Sequence, residues 1–217
     1  MKTCIYCGST KDITREHVIP YSFFDSKSDK STEDLITVPA CLSCNQNYWK
    51  IDEYARFVLS TNIWVNQDKI SQNTKGRIVR GAIRNLKHDI IQKLEPIRLL
   101  DEKGNTHYSH RYTINGDILG NFLDKVVRWL IYNNQGTILD SWCKIDHYRA
   151  EQKTKVLMYD HLPKLFRIKE LKIGNVFKYV IGRTDNPSIN VLYYSFFDWY
   201  EFFSLTCNQQ LYDRHIG

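Results

Sequence analysis

The sequence predicts an α+β protein: an N-terminal strand–strand–helix segment, then helices, then a C-terminal antiparallel sheet. Three observations carry this. Two Cys-x-x-Cys pairs, Cys4/Cys7 and Cys41/Cys44, enclose two short strand-like runs and lead into a helical pattern. Apolar residues recur at steps of three and four within residues 67–95 and again within 117–133. The last third is rich in β-branched and aromatic runs separated by turn residues.

Element by element, Thr14 to Ile19 reads as a first strand, stopped by Pro20. Asp25 to Asp34 is rich in Ser, Asp and Lys and reads as an exposed loop. Leu35 to Val38 reads as a second strand leading to Cys41. Asn45 to Leu59 has helical spacing, with Trp49, Tyr54, Phe57 and Val58 as its expected buried positions. A boundary near residue 65 divides a module of residues 1–64 from a supporting, substrate- or partner-binding region, 65–217. In that region Val79, Ala82, Ile83, Leu86 and Ile90 trace an apolar stripe, ended by Pro96. A hairpin is expected from Ile97 to Tyr112 around Lys103-Gly104-Asn105. Asp117 is the expected cap of a helix running to Asn133, with Phe122, Val126, Trp129 and Leu130 on one face and Gly136 at its end. Val176–Gly182, Asn190–Phe197 and Glu201–Cys207 read as strands, the first two joined by a turn at Asp185-Asn186-Pro187.

Composition narrows the class. The hydrophobic fraction of 42% over 217 residues permits a real core. A net charge of +6 favours an anionic partner such as nucleic acid. No apolar run is long enough to span a bilayer, and MKTCIYCGST lacks the apolar core of an export signal. These features predict a cytoplasmic chain with no membrane partner. Thiols stay reduced there, so paired cysteines point to metal over disulfides. Four thiolates from two Cys-x-x-Cys pairs close a tetrahedral zinc site with no open position, which makes that zinc structural. Gly8 suits a tight turn after Cys7. Cys143 and Cys207 are solitary and read as core thiols.

The runs CIYCG, REHVIP and EDLITVPACLSCN carry a resemblance. Over residues 4–58 the chain resembles the HNH nuclease family, in the subgroup whose ββα-metal fold is held by a Cys4 zinc. The resemblance implies a DNA endonuclease, of the kind that serves mobile elements, restriction or phage defence, with a homodimer or a regulatory partner protein. It implies that His17 is the general base and that Asn45 and Glu16 hold a catalytic Mg²⁺ or Mn²⁺. Asp34 stands where the family has its middle asparagine. Aspartate can accept that residue's hydrogen bonds but cannot donate an amide proton.

The chemistry of the residues agrees. Phosphodiester hydrolysis needs an activated water and a cation to offset charge on the leaving oxygen. Imidazole takes a proton near neutral pH, and carboxylate and amide oxygens suit hard cations. Adjacent residues of a regular strand point to opposite faces, so Glu16 and His17 reach one site only where the strand bends. The remaining candidates are basic. Arg77, Arg80, Arg84 and Lys87 form a stripe that fits a phosphate backbone and fits equally the solvated face of an amphipathic helix. Lys50 is a candidate phosphate contact or an exposed helix charge, and Asp52 and Glu53 read as surface charge balance. The aromatics from Tyr193 to Phe203 are expected to pack a core. The alternative function is a non-catalytic zinc module that binds nucleic acid or protein.

Overall fold

A computed structural model of the chain describes residues 2–24, 37–61, 70, 72–86, 88, 90–101, 103–140, 143–150, 169–174, 176–183 and 189–207. Asp34 and Lys87, the loop after Phe24, the first two residues of the expected second strand and the turn at 185–187 lie outside them. The fold is α+β. Strands β1 (Ile13–His17) and β2 (Thr37–Cys41) form an antiparallel hairpin that runs directly into helix α1 (Leu42–Ser60). Helix α2 (Gln72–Asn85) packs on α1 and precedes a two-stranded ribbon, β3 (Glu95–Leu100) with β4 (Thr106–Arg111). Helix α3 (Gly116–Gln135) then packs on α1 and on the C-terminal sheet. That sheet has five antiparallel strands in the order β5-β9-β8-β7-β6: β5 (Lys144–Arg149), β6 (Lys169–Ile173), β7 (Phe177–Arg183), β8 (Asn190–Phe196) and β9 (Tyr200–Cys207).

The hairpin tolerates a proline because of register. Pro39 stands opposite Arg15 and has no N–H to give. Its carbonyl turns outward and accepts from the Ile5 N–H at 3.1 Å. The Arg15–Pro39 pair is thus a wide, non-bonded pair of the ladder, and the Arg15 carbonyl is also turned outward. Ile5 ties the first cysteine knuckle to the strand that carries the second.

The two parts of the chain share one core. Phe23, in a 3-10 turn just after Pro20, stacks on Phe122 of α3 (5.9 Å between centroids) and on Phe197 beyond β8 (6.1 Å). The same cluster joins Val18, Val38 and Leu59 to Trp129, Phe177, Tyr194 and Phe202. The aromatics from Tyr193 to Phe203 are mostly core residues, as expected, with Trp199 half-exposed. Phe197 and Asp198 both carry φ near +55°, a conformation that costs a bulky L-residue about 1–2 kcal/mol. Burial of the Phe197 ring against Phe23 and the Asp198–Lys178 ion pair hold that turn in place.

Several expectations are corrected. Trp49 is 49% exposed, while its neighbour Tyr48 packs against the core. Of the expected stripe Ala82, Leu86 and Ile90 are buried, but Ile78 joins them while Val79 and Ile83 lie outward, about a third of a turn round the helix. Asn115, and not Asp117, caps α3: its side chain accepts from the N–H groups of Asp117 and Ile118, and Gly136 closes the helix at φ +69°. Cys143 is only half-buried. Strands β5 and β6 have no counterpart in the sequence reading.

Candidate functional site

The cysteine knuckles meet as their spacing predicts. Cys4 and Cys7 flank a turn in which the Gly8 N–H bonds the Cys4 carbonyl, with Gly8 at φ +76°. Cys41 ends β2 and caps α1, its Sγ accepting from the Cys44 N–H at 3.5 Å. The four Sγ atoms lie within 4.8 Å of one another, and Cys7 and Cys41 are 3.6 Å apart. A tetrahedral zinc with Zn–S bonds of ~2.3 Å separates its sulfurs by ~3.8 Å, so this set fits that ion. Burial and the neighbouring sulfurs push the Cys44 thiol up. A central dication reverses that, because it makes the ligating thiols give up their protons. The quartet can hold a metal ion such as zinc.

His17 is exposed at the end of β1, its ring 6.5 Å from that of Tyr21. Asn45 lies in the first turn of α1, directly after Cys44. Its Nδ2 donates to Thr14 Oγ1 (3.0 Å) and to the outward-turned Arg15 carbonyl (3.4 Å). The amide therefore pins the helix start to β1 two residues before His17, and its Oδ1 is the end turned away from those acceptors.

Glu16 faces the other way. It is buried, and its carboxylate accepts from Lys125 Nζ of α3 at 2.6 Å. The same ammonium donates to both oxygens of Asp52 on α1, at 2.8 and 2.7 Å, and lies 5.2 Å from the Tyr48 ring. Lys125 is 0% exposed. Two carboxylates and one ammonium leave a buried excess of negative charge. Burial accordingly pushes the Asp52 carboxyl up to about 6 against the pull of Lys125. The strand's alternation thus separates Glu16 from His17. As arranged, these residues do not fit a cation held by Glu16 and Asn45 together, since Glu16 already carries an ammonium. Asp52 and Glu53 are not surface charges: Glu53 bonds Arg56 (2.8 Å) and Asn85 of α2 (2.7 Å).

The remaining predicted contacts lie elsewhere on the surface. Lys50 is exposed beside the Trp49 ring. Arg77, Arg80 and Arg84 are all exposed on α2. Sequence reasoning missed Lys125, although a signal was present: in FLDKVVRWL it is the one charge three residues from Phe122 and one from Val126, inside the apolar stripe. It also missed His147, whose ring bonds Asp124 Oδ1 (2.8 Å) and Ser204 Oγ (2.7 Å). This resembles a nucleophile relay only in its order of atoms. Ser204 is fully buried and also bonded to Tyr194 Oη at 2.9 Å, so no substrate reaches it, and the trio ties α3 to the sheet. Comparison of the chain with family models, with curated proteins and with solved structures finds no match.

Proposed function

We propose that the protein is a DNA endonuclease of the HNH type, with His17 as the general base at a zinc-stapled ββα module. One observation supports this most. The sulfur quartet ties the first knuckle to the end of β2 and the start of α1, and β1 pairs with β2, so that an exposed imidazole ends β1 and Asn45 bonds that strand's backbone two residues earlier. Zinc at the quartet supplies the fold and takes no part in the reaction, because its four positions are closed. His17 would accept the proton of the attacking water, and Asn45 would hold the strand end that aims the ring. A catalytic Mg²⁺ or Mn²⁺ rests on the family resemblance alone.

The test is nicking of supercoiled plasmid by purified protein, with Mg²⁺, Mn²⁺ or no added cation. Wild-type protein is expected to nick. His17→Ala should lower the rate by about 10²-fold or more, with zinc content and melting temperature unchanged. Cleavage that persists in the variant would sink the assignment of the base. The engagement of Glu16 by Lys125 favours a second reading, a zinc module that binds nucleic acid or protein without cutting. Binding by both proteins with nicking by neither would select it.

A further inference from the structure

Neither strand of the β3–β4 ribbon has a buried residue. Register assigns its two faces: Pro96/His110, Arg98/Tyr108 and Leu100/Thr106 lie on one, Glu95/Arg111, Ile97/Ser109 and Leu99/His107 on the other. On the first face Tyr108 is 84% and Leu100 70% exposed, and Arg98 and His110 are exposed as well. Two-stranded hairpins are marginal alone, so an apolar and aromatic face left in water is costly.

Charge is sorted between the faces. Glu95 is paired with Arg111 on the second face, at 2.7 Å. Asp101 is turned into the loop, accepting from the Lys103 and Asn105 N–H groups and from His107. Among the described residues, the Arg98–Tyr108 face carries no carboxylate. Helix α2 faces the base of the same ribbon: Val79 and Ile83 wall an open cleft of about 300 Å³ opposite Ser109 and His110. Between Asp68 and Asp89 the sequence has no acidic residue but has Lys69, Lys75, Arg77, Arg80, Arg84 and Lys87, six charges against a chain total of +6. Among the described residues no carboxylate pairs with Arg80, Arg84 or Arg98.

We propose that the ribbon and α2 form a two-sided grip on duplex DNA, with Arg98 and Tyr108 entering a groove and Arg80 and Arg84 lying on the flanking phosphates. A two-stranded ribbon fits the major groove, guanidinium groups fit phosphate, and an exposed ring beside a cation suits bases and sugars. The choice of DNA among polyanions rests on the nuclease reading.

The test is fluorescence anisotropy of a short labelled duplex with the full chain, across a salt series and without magnesium or manganese. Arg80→Ala/Arg84→Ala should weaken binding about tenfold or more and reduce the salt slope by about two. Arg98→Ala/Tyr108→Ala should weaken it about tenfold with a slope change of about one, and Tyr108→Phe should bind like wild type. All these side chains are exposed, so melting temperatures should not move. Ribbon variants that bind within about twofold of wild type, or tighter binding to single-stranded RNA of equal length, would overturn the proposal. If the duplex is gripped as described but no plasmid is nicked under any cation, the nuclease reading fails and the grip stands. If plasmid is nicked while the ribbon variants bind unaltered, the grip fails and the nuclease reading stands.

Discussion

The N-terminal hairpin and α1 differ from the C-terminal sheet in what holds them. The sheet and α3 are joined by rings: Trp129 lies 6.1 Å from Phe177 and 5.7 Å from Tyr179, and Phe196 packs on Phe122 and Phe177. That is ordinary apolar burial, insensitive to redox state or metal supply. The N-terminal region has five-residue strands, a quartet of cysteines and a buried ion cluster. A segment of about 60 residues buries too little apolar surface to be secure alone. The region carrying the candidate chemistry leans on a sulfur quartet that can hold a metal ion and on its neighbour, through Lys125 and Phe23.

Removing a sulfur should set the two regions furthest apart. Cys41→Ser is expected to abolish zinc retention and hydrogen-exchange protection in β1, β2 and the first turns of α1, a loss on the order of 10 kcal/mol of metal-linked folding energy. The sheet should stay protected. Unchanged metal content and melting would rule out a structural ion.

Next is Lys125→Ala, which leaves Glu16 and Asp52 buried without their cation and should cost about 3–5 kcal/mol in denaturant unfolding. A Lys125→Met/Glu16→Gln/Asp52→Asn triple variant should recover most of that loss, because it removes the charges together. A triple variant as unstable as the single one would show that packing, and not charge, is what Lys125 contributes.

Phe23→Ala should cost about 3–4 kcal/mol and, more tellingly, lower protection in the hairpin and α3 together. Loss confined to the hairpin would mean that the shared core carries no coupling.

The smallest effect is that of pH. The Asp52 carboxyl is raised from 3.8 to about 6 in the folded chain, so its contribution to stability is present below the lower value and lost as pH rises through the upper. Melting temperature should therefore fall between pH 4 and 6, and Asp52→Asn should flatten that segment. A rise over the same window in wild type that Asp52→Asn leaves intact would assign the titration to another group.

What was legible in the sequence follows the same division. The knuckles, the hairpin and α1 are local, set by spacing, a proline and a cap, and the reading placed them within a few residues. Tyr54, Phe57 and Val58 are buried as the helical period predicts, but Trp49 is not, because periodicity alone cannot say where along a helix the covering partner ends. Strand β5 escaped notice because Lys144, Asp146, His147 and Arg149 mask its alternation, and its inward His147 is satisfied by Asp124 and Ser204, 23 and 57 residues away. The Glu16–Lys125 pair spans 109 residues, so no local pattern announces it. The strand's alternation did warn that Glu16 and His17 part company.

The bridge from α3 has a practical consequence for anyone who would cut this chain into pieces. A fragment ending near residue 64 keeps all four sulfurs and His17, yet exposes the Phe23 ring and strands two acidic groups in a hollow shaped for an ammonium. Such a piece would chelate metal and still lack the partner that orients its first strand. Grafting the module onto another scaffold therefore calls for carrying α3 along with it.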